Sequence, residues 1–208
     1  MTDFTDFKSQ IAEWANRLDW PDSLVTSFVR HAEMKLNSEL RVDRMIQFDD
    51  GLITSRCAPL PDDWLALDLV EIENPPGSGT FRPIRYHARD EFFNLLDNNS
   101  VNKYTIEGRR IYFGGPPDSV NGHAYKLIYY GEVPVFSDTT PSWVYTKYPS
   151  LYLFSALMHA DLHAVGEEDK AANLKQLAED MINKLNLGHL AAKASGSRIT
   201  RIRTRSFG

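Results

Sequence analysis

His159 and His163 stand four residues apart in the run HADLH, a spacing that puts two imidazoles on one helix face, where they can share a metal ion. Asp161 lies between them, Glu167, Glu168 and Asp169 follow closely, and His31 could add a third nitrogen. That is the donor set of a small metal-dependent hydrolase. The zinc-protease pattern, however, needs Glu directly after its first histidine as general base, and Ala160 occupies that place. Two histidines packed at a helix boundary explain the same spacing without chemistry, and the sequence gives no reason to expect a cofactor.

Other reactive residue types are weaker still. Cys57, in SRCAPLP, has no neighbouring nucleophile signature and reads as a small buried hydrophobe; as the single cysteine it also forms no intrachain disulfide, which fits a reducing cytosol. FGGPP and PPGSG lack the lysine and the strand-loop-helix setting of a phosphate cradle, and both read as turns. Tyr129 with Tyr130, Trp64, and Trp143 with Tyr145 and Tyr148 could stack on bases, but such platforms come interleaved with Lys and Arg. Packing explains them more simply. RPIRYHAR, with Arg82, Arg85 and Arg89, is the one basic stretch of the body, either a solvated strand or a face for a neighbouring subunit or tail protein.

The remaining chemistry is electrostatic. The chain ends in GSRITRIRTRSFG, four arginines with no acid. With 23 basic and 28 acidic residues the formal charge is −5; the five cations Lys193, Arg198, Arg201, Arg203 and Arg205 lie beyond residue 192, so residues 1–192 carry −10. Nucleic acid gripped by a broad basic face is thereby disfavoured, because such binding replaces counterions with Lys and Arg. An extended tail would put Arg201, Arg203 and Arg205 on one side, with Thr200, Ile202 and Thr204 on the other. Such a strand can add to the edge of a partner's sheet, with Ser195, Gly196 and Ser197 as its flexible joint. A disordered basic terminus without a specific partner is the bland alternative.

The elements that would position these residues run helix, strand, helix. Phe4, Phe7, Ile11, Trp14 and Leu18 recur at three- and four-residue steps behind a cap at Thr2 or Asp3. After Asp19 and Pro21, the residues Leu24, Phe28, Ala32, Leu36 and Leu40 mark a second helix. From Arg41 the texture becomes β: strands are expected at 43–49, 52–57, 66–73, 80–86, 102–107, 110–113 and 125–132, with a tight turn at Glu107-Gly108. HARDEFFNLLDNN reads as a short helix using Phe92, Phe93, Leu95 and Leu96 to cover a sheet. Helical periodicity resumes at 149–164, stops at Gly166, and continues in a last helix with Leu174, Leu177, Met181 and Leu185 on one stripe, ending at Gly188. The N-terminus lacks the apolar core of an export signal, and no run of about 18 apolar residues exists, so a soluble, unexported protein without membrane contact is expected.

The expected fold is α+β. Residues 1–42 and 141–190 supply the N- and C-terminal pairs of a four-helix bundle, 43–140 an inserted antiparallel β-rich lobe, and 191–208 an extended basic C-terminal arm. In this order the motifs AEMKLNSELRV, LPDDWLALDLVEI, YTIEGRRIYFGGPP, YKLIYYGEVP, WVYTKYPSLYLFSALMHA and AANLKQLAEDMINKLN resemble the head-to-tail adaptor (connector, neck) proteins of tailed bacteriophages, particularly short-tailed ones. The resemblance covers most of residues 1–190.

It implies a non-enzymatic ring subunit in the virion neck, made in the host cytoplasm. Its partners would be the portal protein, neighbouring copies in a ring, dodecameric on a twelvefold portal, and a tail or nozzle protein. DNA would pass through without sequence-specific binding. The arm would rest on the portal through Arg198, Ile199, Arg201, Ile202, Arg203 and Arg205, becoming ordered there. An acidic body suits a channel in which phosphates must slide, although acids also simply keep a protein soluble. Another neck component, a tail terminator or stopper, fits the same features, and the hydrolase on His159 and His163 is the alternative from a different class.

Overall fold

The helices begin where apolar spacing and backbone chemistry agree. The computed structural model describes residues 4–94, 101–115, 122–164 and 168–203, with 196–203 as backbone alone. Helix α1 (Phe4–Trp14) buries Phe4, Phe7 and Ile11, while Trp14 is 56% and Leu18 78% exposed. The expected apolar stripe is therefore buried only as far as Ile11, and Leu18 falls beyond the helix because Asn16 turns the backbone left-handed (φ 53°) and closes it. The cap expected at Thr2 or Asp3 lies outside the described residues. Pro21 has the extended geometry of an N-cap, immediately before α2 (Asp22–Glu39), which buries Val25, Phe28, Val29, Ala32, Glu33 and Leu36.

Helix α4 (Trp143–Lys147) starts where the Ser142 hydroxyl accepts the Tyr145 N–H at 3.3 Å. Five residues give too little periodicity for the sequence to announce it. Helix α5 (Pro149–His163) has Pro149 at its first position and is buried on most sides, through Leu151, Tyr152, Leu153, Ser155, Ala156, Leu157, Met158, Ala160 and Asp161. It packs against α1, α2, α4 and α6 (Glu168–Arg203). Gly166, the expected stop between α5 and α6, lies outside the described residues.

The extended arm is corrected by the geometry of α6. No break occurs at Gly188; the helix continues to Arg203. A mid-helix glycine costs about 1 kcal/mol, and the LAAKA run behind it has the strongest helix formers. The buried side of α6 is Ala171, Ala178, Ile182 and His189, whereas Leu177, from the expected stripe, is 49% exposed.

The chain divides into two units, Met1–Asp43 with Val133–Gly208, and Arg44–Glu132. The second unit begins in a 3-10 turn (Asp43–Met45) and holds β1 (Ile46–Leu52), β2 (Cys57–Pro59), β3 (Trp64–Glu73), β4 (Phe81–Pro83), β5 (Arg85–Tyr86), α3 (Arg89–Asn94), β6 (Lys103–Glu107), β7 (Arg110–Phe113) and β8 (Ala124–Gly131). Two four-stranded sheets form, ordered β1-β8-β3-β4 and β2-β7-β6-β5. They share one apolar core that includes Val70, Ile72, Ile84, Ile111, Phe113, Leu127 and Tyr129. Each such buried aliphatic side chain contributes about 1.5–3 kcal/mol.

Four expectations for this unit need correction, the first being the single strand at 80–86, which divides at Ile84 into β4 and β5 on different sheets. Strand β1 starts at Ile46, since 43–45 coil into the 3-10 turn, and β2 spans 57–59 rather than 52–57. The lobe is not wholly antiparallel: β5 runs parallel to β6, pairing Arg85 with Lys103 and Tyr86 with Tyr104. The helix expected in HARDEFFNLLDNN is present as α3, which buries Phe92; Leu95 and Leu96 lie outside the described residues. The β6/β7 hairpin has the expected tight connection, with Glu107 opposite Arg110 and Gly108 at φ +60°.

Candidate docking surfaces

The histidines separate into two environments. The His159 ring lies 5.2 Å from that of His31, between α5 and α2. His163 instead packs 5.8 Å from Phe28 and 6.2 Å from Trp20. Burial, then the neighbouring His31 and Lys35, hold His159 below the ordinary imidazole range, and its Nε2 is buried without a hydrogen-bond partner among the described residues. Asp161 is buried, 3.5 Å from the Lys170 ammonium. Glu167 lies outside the described residues, and no group of three metal-ligating side chains occurs among those described.

The other candidates resolve into structural roles. Cys57 is half-buried on β2 opposite Tyr112. The PPGSG turn is closed by its own chain, as the Gly79 N–H donates to the Glu73 carboxylate at 2.6 Å. That bond holds the Glu73 carboxyl below its usual range. Of FGGPP, Gly114 and Gly115 are buried and the prolines lie outside the described residues. Tyr129 and Tyr130 are buried, and Trp64 packs against the core of the sheets. The Tyr129 hydroxyl donates to Asp63 at 3.0 Å, and burial plus that carboxylate push its pKa up to about 12. Tyr145 belongs to a ring cluster with Phe7 (4.6 Å), Phe136 (5.4 Å) and Tyr152 (6.2 Å).

A buried polar cluster is the feature that spacing arguments missed. Glu33 points from α2 into that aromatic cluster and accepts from the Tyr152 hydroxyl (2.8 Å), the Phe136 N–H (2.6 Å) and the Arg30 guanidinium (2.7 Å). Arg30 also donates to the Phe136 carbonyl at 3.1 Å. Burial, followed by the Glu33 charge, raises the Tyr152 pKa far above its ordinary value, so the phenol remains a donor. The signal available was a glutamate on an apolar stripe, four residues after Val29 and three before Leu36.

Two charged surfaces remain. Along the first half of α6, Lys35 contacts Glu179 at 3.4 Å, and near its middle the Arg41 N–H donates to Asn186 at 2.7 Å. His189 Nδ1 lies 2.6 Å from Asp43 Oδ1. Residues 190–195 are all exposed. Arg198, Ile199, Arg201, Ile202 and Arg203 follow on helical backbone, and Arg205 lies outside the described residues. In the other unit Arg89 pairs with Glu107 at 3.0 Å, whereas Arg82 and Arg85 are exposed.

An α+β protein of two units, with charged surfaces and no group of three metal-ligating side chains among its described residues, is the class these features define. The model of the family described as SU10 adaptor protein matches residues 2–205, nearly the whole chain, and the chain belongs to that family. Membership supports a bacteriophage adaptor, a structural virion component that assembles with head and tail parts. No curated protein matches the chain.

Proposed function

We propose that this chain is the head-to-tail adaptor subunit of a phage neck, without enzymatic activity, docking on the portal protein through Arg198, Ile199, Arg201, Ile202, Arg203 and Arg205. Residues 1–42 and 141–190 form the helical platform, 43–140 the inserted lobe, and 191–208 the arm. Neighbouring copies complete a ring, dodecameric on the portal, whose acidic body lets DNA slide towards a tail or nozzle protein. The subunit is made in the host cytoplasm and ends in the virion.

The family match carries this reading. The layout of α6 supports the assignment of the arm, since among the described side chains the last buried one is His189 and residues 190–195 beyond it are exposed. The arginines of the arm are the side chains suited to carboxylates of a partner, which guanidinium groups bind through charge-assisted hydrogen bonds.

The test compares full-length protein with a chain stopped after Ser195 on purified portal rings. The full chain should decorate the rings, and the shortened chain should stay folded and lose attachment by at least about a hundredfold. Undiminished attachment would place the anchor elsewhere.

A further inference from the structure

The two sheets of the Arg44–Glu132 unit end in edges of opposite charge. Strand β1 is one edge of its sheet and β4 the other. Along β1, Ile46, Phe48, Asp50 and Leu52 alternate to the face away from the core, and Phe48 is 76% and Leu52 65% exposed. Asp49 and Asp50 make this edge acidic; burial, then the Asp50 charge, lifts the Asp49 pKa above its ordinary value. At the opposite edge β4 and β5 follow one another around buried Ile84, with exposed Arg82, Arg85 and Tyr86. Neither arginine side chain has an ion-pair partner among the described residues.

We infer that these edges are the two halves of one contact between copies of this chain, the acidic Phe48/Asp50/Leu52 edge of one subunit meeting the basic Arg82/Arg85/Tyr86 edge of the next. Charge complementarity selects the occupant. Two β1 edges brought together would oppose carboxylates, and two β4–β5 edges would oppose guanidiniums, so both self-matched dimers are repulsive. Only the acid-to-base pairing buries the exposed apolar side chains on both sides with favourable charge. Pro83 lacks an N–H and sits on the short β4 edge, so a continuous sheet between subunits is blocked and side chains must make the contact. A head-to-tail contact of this kind repeats, giving a ring when its rotation closes. This rests on the adaptor reading and specifies which surfaces join.

The test is sedimentation of the full chain at low and high salt, with Asp50→Lys, Arg85→Glu, their equimolar mixture, and both changes in one chain. Wild type should self-associate, more weakly at high salt, and each single reversal should weaken association by about tenfold or more. The mixture and the doubly exchanged chain should recover it, which also shows that the variants fold. A monomeric wild type, single reversals that associate as wild type, or no recovery in either rescue overturns the inference. If reversals spare self-association but abolish binding to another virion part, that part takes the edge instead. Portal rings decorated equally by every variant sink the edge pairing and leave the adaptor reading intact; a wild-type chain that never binds portal rings sinks that reading alone.

Discussion

The Tyr152 hydroxyl donates a 2.8 Å hydrogen bond to Glu33 Oε1, joining α5 to α2 where both side chains are withdrawn from water. The same oxygen accepts the Phe136 N–H, so one carboxylate ties two helices and the segment after Val133. A buried charge is tolerable only when its lone pairs are occupied, and here three donors share the task.

Tyr152→Phe should therefore destabilise the protein by about 1.5–3 kcal/mol, since it leaves a charged acceptor short of a donor. Urea denaturation followed by circular dichroism reads this directly. A loss under about 0.5 kcal/mol would mean that water replaces the phenol, and the carboxylate is then less secluded than its position indicates.

Acid should loosen the α2–α5 contact through His159. Its folded-state pKa lies below the ordinary 6.5 because burial, His31 and Lys35 all oppose a charge there. The unfolded chain binds the proton first, so the contribution is intact above about pH 6.5 and falls away as pH drops through that value towards the folded pKa. Melting profiles of wild type and His159→Gln between pH 7.5 and 5.5 check this. The variant should have the flatter dependence, and parallel curves would remove His159 from the account.

The β6/β7 hairpin depends on a left-handed residue. Gly108 has φ +60° between Glu107 and Arg110, and a β-branched side chain there is strained. Gly108→Val should cost about 1–2 kcal/mol, whereas Gly108→Asn should cost less because Asn tolerates that region. Equal losses for both would point to a different turn.

How much of this was legible in the sequence follows from the range of each interaction. Phe4, Phe7 and Ile11 are three and four residues apart, and local spacing sufficed to place α1. Gly108 announced its hairpin for the same reason. The parallel pairing of β5 with β6 joins segments separated by α3, so nothing within either strand encodes it. Glu33 looked like an ordinary polar helix residue because, apart from Arg30, its donors Phe136 and Tyr152 lie more than a hundred positions away. The spacing of His159 and His163 encodes their common helix, but each ring's neighbours come from other elements, His31 for one and Phe28 for the other. The arm residues carried a clear charge pattern without a secondary-structure pattern, and strand alternation gave way to helix propensity.

The two places where α6 can be cut should behave differently. Stopping after Gly188 removes His189, which is buried and lies 2.6 Å from Asp43, and it leaves Asn186 in a fraying last turn although it binds Arg41 and the Glu39 carbonyl. Stopping after Ser195 removes none of these. Thermal midpoints should fall by several degrees for the first truncation and stay within about one degree for the second. A drop for the Ser195 truncation would show that the arm contributes to the fold itself.

Gly188 offers the sharpest check on the path of the arm. If the helix ended there, as the glycine first suggests, the residue would take the left-handed conformation of a C-terminal cap and alanine would destabilise. In the structure it lies inside a continuous helix, and a Cβ built on it meets nothing within 4 Å. Gly188→Ala then replaces the most flexible residue with the best helix former at no steric cost, so it should stabilise by about 0.5–1 kcal/mol and raise helical ellipticity. The direction of the change decides the matter: a gain requires helical backbone through position 188, and a loss of similar size would restore the early stop and an arm that leaves the helix at that glycine.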